Sequence, residues 1–120
     1  MRRIGEGSDL QPGGALFFEA FVRGEVRPCV AVRGAAGVRA FLNVCAHRNQ
    51  PVVVNDRPFD DDGAIECRAH GARYEPDGGL CIQGPCEGAR LVSVPIEERE
   101  GGLWASDDDV VDDSAYADEG

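Results

Sequence analysis

Two short segments concentrate the ligand chemistry of this chain. Cys45-Ala46-His47 and Cys67-Arg68-Ala69-His70 are separated by nineteen residues, and the only two histidines among the 120 residues both fall in them. Two thiolates and two neutral imidazoles suit a pair of irons bridged by sulfides, with imidazoles replacing thiolates on one iron. They also suit a structural zinc, which takes the same ligands in a tetrahedron. Zinc sites usually pair Cys with Cys across two to four residues. Here each segment mixes one Cys with one His, so each can span both metals of a binuclear centre. Small neighbours such as Ala46, Ala69 and Gly71 allow close backbone approach to bridging sulfides.

The remaining cysteines, Cys29, Cys81 and Cys86, read as buried thiols. Five cysteines are an odd number, which fits metal ligands and free thiols better than a disulfide framework. No stretch has the length of a signal peptide's apolar core or of a membrane span, so a soluble, cytoplasmic protein is expected. The formal charge is −10, but residues 107–120 hold seven acids and no base, leaving 15 acids against 12 arginines before them. There is no lysine and no basic patch, which argues against nucleic acid as a partner. The composition predicts one domain over residues 1–106 and an acidic, disordered tail over 107–120.

The elements that must position the two segments read as short strands. With 16 Gly and 7 Pro, turns are frequent. Residues 1–14 read as a loose lead-in with one short edge strand. Residues 15–22 alternate, with Leu16, Phe18, Ala20 and Val22 on one face, and Arg23-Gly24-Glu25 turns the chain into a partner strand over 26–33. A third strand over 38–44 follows the turn at 34–37, its alternation blurred by Phe41-Leu42. From Cys45 to Cys86 repeated Gly and Pro forbid long elements and suggest loops tied to something other than a hydrophobic core, with one short strand over 64–67. Strand texture returns at 91–96 and at 103–105. The expected class is all-β, with small antiparallel sheets and a loop-rich insert over about 45–86.

Cys45-Ala46-His47-Arg48, Cys67-Arg68-Ala69-His70-Gly71-Ala72-Arg73-Tyr74, Gly79-Leu80-Cys81 and Gly84-Pro85-Cys86 together resemble the Rieske-type [2Fe–2S] ferredoxins over roughly residues 15–105. The resemblance implies the Rieske fold, with the cluster at the tip of a loop-built subdomain. It implies one [2Fe–2S] cluster per chain, held by Cys45, His47, Cys67 and His70, with Arg48, Ala72, Tyr74, Gly84 and Pro85 around it. Gly84-Pro85 is similar to the proline-bearing third loop that covers the cluster in that family. A tyrosine at the place of Tyr74 either donates its hydroxyl to a ligand thiolate or packs in the loop.

High-potential members add a disulfide between the cluster loops, where this chain has Gln50 and Ala69, and a serine where it has Ala72. Hydrogen bonds to the sulfurs and low negative charge favour the reduced cluster, so their loss predicts a potential of about −150 mV to zero. The resemblance implies a monomeric one-electron carrier between a flavin reductase and a terminal oxygenase. An alternative is the small Rieske subunit of a larger oxidoreductase such as assimilatory nitrite reductase; another is a structural zinc module. The chain is not expected to be an oxygenase itself. Mononuclear iron needs two further histidines and a carboxylate, and both histidines are already assigned.

Overall fold

A computed structural model describes residues 1–35, 37–44, 50–67, 71–84 and 87–106. Among them lie nine strands: β1 (Arg2–Glu6), β2 (Ala15–Val22), β3 (Glu25–Gly34), β4 (Gly37–Leu42), β5 (Ile65–Cys67), β6 (Ala72–Tyr74), β7 (Cys81–Gln83), β8 (Ile96–Arg99) and β9 (Gly102–Ala105). They form three antiparallel sheets of three strands, in the orders β1-β9-β8, β2-β3-β4 and β5-β6-β7. The all-β expectation holds. Among the described residues no helix is long and apolar enough to cross a membrane.

Local chemistry makes the two tightest hairpins. Val22 pairs with Glu25 across Arg23 (φ 54°) and Gly24 (φ 83°), and Arg99 pairs with Gly102 across Glu100 (φ 52°) and Gly101 (φ 77°). Two central residues of positive φ make a type I′ turn, whose twist matches that of the flanking strands.

The middle sheet is buried on both faces at its centre, along the second half of β3 and of β4, whereas β2 exposes Phe17 and Phe21 on one face. Cys29 and Ala31 of β3 face one core with Val22, Leu42, Val92 and Leu103, while Val30 and Val32 face a second with Phe41, Ile65, Tyr74 and Leu91. All four of these β3 residues are at most 2% exposed. This explains the blurred alternation near Phe41-Leu42: with both faces covered, neither parity has to be polar.

Three expectations need correction. The stretch 45–86 is not tied together without a hydrophobic core. Val52, Val53, Ile65, Cys67, Ala72, Tyr74 and Cys81 join the second core, and β6 and β7 lie within the stretch. Strands of three residues between glycines are too short to leave a period in the sequence. The third strand stops at Leu42 rather than running to Val44, because the Val44 amide turns back to the Leu42 carbonyl at 2.8 Å. Residues 91–95 do not form a ladder strand. Val92 and Val94 still bury and bond to the edge of β4, through Leu42 N to Val92 O and Val94 N to Ala40 O, both 2.9 Å, and the strand starts only after Pro95.

Candidate metal centre

The β5-β6 hairpin carries the second motif. Cys67 ends β5 and pairs directly with Ala72 at the start of β6. The connection is closed by the Gly71 amide, which donates to the Cys67 carbonyl at 2.9 Å, with Gly71 at φ 71°. Cys67, Ala72 and Tyr74 are each 0% exposed. Short, mutually paired strands with buried side chains give the Cys67 thiol a fixed origin for its direction.

Gly84, just beyond β7, lies against this hairpin. A Cβ added there would stand 2.8 Å from Ala72 Cα and 3.3 Å from Ala72 N, and the residue has φ 107°. Both facts require glycine. The segment that leads to Pro85 therefore meets the wall next to Cys67 with backbone on backbone.

Ahead of β5, Asp60 organises the turn that delivers the strand. Its Oδ1 accepts from the amides of Asp62 at 2.9 Å and Ala64 at 3.0 Å, and its Oδ2 accepts from Arg73 Nε of β6 at 2.6 Å. Arg73 also donates to Asp62 at 3.1 Å and to Gln83 of β7 at 2.9 Å, so one guanidinium ties the turn to two strands. Burial alone would raise the Asp60 carboxyl, but the Arg73 bond and the two amides outweigh it and hold the group below its usual range. The carboxylate correspondingly raises Arg73.

The first motif leaves the central sheet at Asn43, the one amide or charged side chain that is buried among the described residues, at 6% exposed. Its Oδ1 accepts from the amides of Val52 at 3.1 Å and Val53 at 2.9 Å, and its Nδ2 donates to the Val53 carbonyl at 2.8 Å.

Of the residues singled out from the sequence, the structure brings Cys67, Ala72, Tyr74 and Gly84 together. Cys45, His47, Arg48, His70 and Pro85 lie outside the described residues, as do Cys86 and the tail 107–120. Cys29 and Cys81 are both 1% exposed and belong to the two cores, as expected for buried thiols. Burial pushes the Cys29 thiol up to about 11. Sequence reasoning missed Asn43, Asp60 and the anchoring role of Arg73. The run Asp60-Asp61-Asp62-Gly63 was a legible turn signal; nothing marked Asn43 except its place two residues before Cys45.

The donor set and the surroundings fit a compact inorganic group. Each motif contains one cysteine and one histidine, and Gly84 brings bare backbone against Ala72, the residue that pairs with Cys67. Val52 and Val53, 3% and 4% exposed, pack in the same apolar core as Cys67.

Comparison with known proteins agrees. Residues 3–97 match the Rieske [2Fe-2S] domain. The chain is 35% identical over 77 residues to the oxygenase component of chloroacetanilide N-alkylformylase from Rhizorhabdus wittichii, which covers 60% of this chain and 21% of that protein. Its fold is similar to that of the quaternary ammonium Rieske monooxygenase CntA, with TM-score 0.69, 26% identity, 89% of this chain and 31% of that one. It is also similar to a chain in the complex of reduced oxygenase and oxidized ferredoxin of carbazole 1,9a-dioxygenase, with TM-score 0.67, 22% identity, 89% of this chain and 93% of that one. The chain thus spans about a fifth of the curated relative and about a third of the monooxygenase. With the match running through both motifs and from β1 to the start of β8, this chain belongs to the Rieske [2Fe-2S] domain family.

Proposed function

We propose that Cys45, His47, Cys67 and His70 hold a [2Fe–2S] cluster, and that this chain is a stand-alone carrier passing electrons from a reductase to a terminal oxygenase. A cluster with this ligand set, when bound, takes up and gives back one electron at a time. The chain's own residues supply position and shielding. Cys67 is fixed by its pairing with Ala72, Asp60 and Arg73 lock the turn that leads into β5, and Val52, Val53 and Tyr74 exclude water behind it.

One observation carries the reading of a carrier rather than a catalyst. Both histidines of these 120 residues stand in the two cluster motifs, so these residues by themselves offer electron transfer and not a mononuclear iron site of two histidines and a carboxylate. The likeness to a chain of the carbazole dioxygenase complex, of which 93% is covered, supplies the fold that the carrier reading requires. The family match favours the iron cluster over zinc.

A second reading, the Rieske portion of an oxygenase subunit, is favoured by the 35% identity to an oxygenase component. An immunoblot of the source cells separates the two. A band near 12.8 kDa supports the stand-alone carrier, and a band about three times larger supports the subunit. For the centre, protein purified without oxygen should contain about two irons per chain and gain an EPR signal on one-electron reduction by dithionite. One zinc and no signal would sink the cluster reading.

A further inference from the structure

We infer that Asn43 is a positioning residue for the cluster: its carboxamide closes the loop that carries Cys45 and His47, and sets the geometry in which that loop holds its ligands. The inference rests on the ligand assignment proposed above.

The main chain over residues 52–53 is buried, with Val52 3% and Val53 4% exposed, yet these residues belong to no strand. Buried amides and carbonyls must find partners. Three of them find the same side chain: the Val52 and Val53 amides bond to Oδ1, and the Val53 carbonyl to Nδ2, at 2.8 to 3.1 Å. Asn43 acts as a one-residue strand partner for the far end of the loop. Its own amide donates to the Pro28 carbonyl of β3 at 2.9 Å, so the near end is fixed to the central sheet. One side chain therefore ties residue 43 to residues 52 and 53, on either side of the first motif.

This tie also joins the two halves of the centre. Val52 and Val53 pack in the same core as Cys67, Ala72 and Tyr74. The base of the first loop is thus registered against the hairpin that bears the second motif. Asparagine meets this pattern of two acceptances and one donation without a charge, its carbonyl oxygen accepting and its amide nitrogen donating. Aspartate keeps the acceptor but sets an oxygen against the Val53 carbonyl, and alanine leaves three backbone groups without partners.

The test compares wild type with Asn43→Ala, Asn43→Asp and, as a control in the other core, Val22→Ala. Each is assayed by urea unfolding, by iron release to a chelator, by redox titration and by EPR. In Asn43→Ala iron release should be about tenfold faster, the oxidised-to-reduced ratio at fixed ambient potential should change severalfold, and the g values should broaden. Asn43→Asp should lie between alanine and wild type. Val22→Ala should lose stability but keep the wild-type potential and g values. Wild-type potential and iron release in Asn43→Ala would overturn the inference, and so would equal shifts in Val22→Ala.

If wild type itself holds no iron, the functional reading fails and the tie is judged by amide exchange. Protection of the Val52 and Val53 amides in wild type that is lost in Asn43→Ala supports the tie, and unchanged protection refutes it.

Discussion

Replacing Gly84 by alanine tests the contact between the third segment and the β5-β6 hairpin. At φ 107° an L residue is strained, which costs about 1–3 kcal/mol. The new methyl would also stand 2.8 Å from Ala72 Cα. That atom belongs to a buried, paired strand and cannot swing aside, so overpacking adds about 1–3 kcal/mol. Gly88 isolates the first contribution, since it has φ 95° and nothing within 4 Å of an added Cβ. Urea unfolding of Gly84→Ala and Gly88→Ala should therefore show the former less stable by about 1–3 kcal/mol, with similar m values. Adding Ala72→Gly should bring little relief, because the nearest atom is the Ala72 main chain rather than its methyl. Equal costs for the two glycines, or full rescue by Ala72→Gly, would refute the close approach.

Three further outcomes are expected. Because the Asp60 carboxyl is held low in the folded state, it contributes stability above its unfolded pKa of about 3.9 that is lost as pH falls through the lower folded value; Asp60→Asn should flatten the acid limb of a stability-versus-pH curve. The buried Cys29 thiol, raised to about 11, should resist iodoacetamide at pH 8 in native protein and label on unfolding, as read by peptide mass spectrometry; its contribution to stability should fade as pH rises from about 8.5, its unfolded value, towards the folded one. Ala72→Ser should raise the midpoint potential in a redox titration by placing a hydroxyl beside the Cys67 hairpin, and an unchanged potential would count against the assigned position of the cluster.

The family was legible because its motifs are local. One Cys and one His within two or three residues, twice, and no other histidine, point to a thiolate and imidazole centre before any fold is known. The hairpin at Arg23-Gly24 was legible for the same reason, since a turn of positive φ is encoded by its own residues. Strands β6 and β7 were not, because three residues carry no usable period. The lead-in was read as loose with one short edge strand, and Arg2–Glu6 is that strand; its pairing along β9, in a sheet joining the two ends of the described chain, is a contact that no local pattern announces.

The sequence by itself determined the class of fold and the kind of centre, and marked the two motifs proposed to supply its donors. Tertiary structure alone decided that β3 is buried on both faces, that the stretch around the motifs has its own apolar core, and that Gly84 must be bare because Ala72 lies against it. It alone decided, too, that Asn43 spends its carboxamide on Val52 and Val53. The physical reason is the range of the interaction. Ligand spacing and turn chemistry act between neighbours in the chain, whereas burial and hydrogen-bond satisfaction are settled between segments that meet only when the chain is folded.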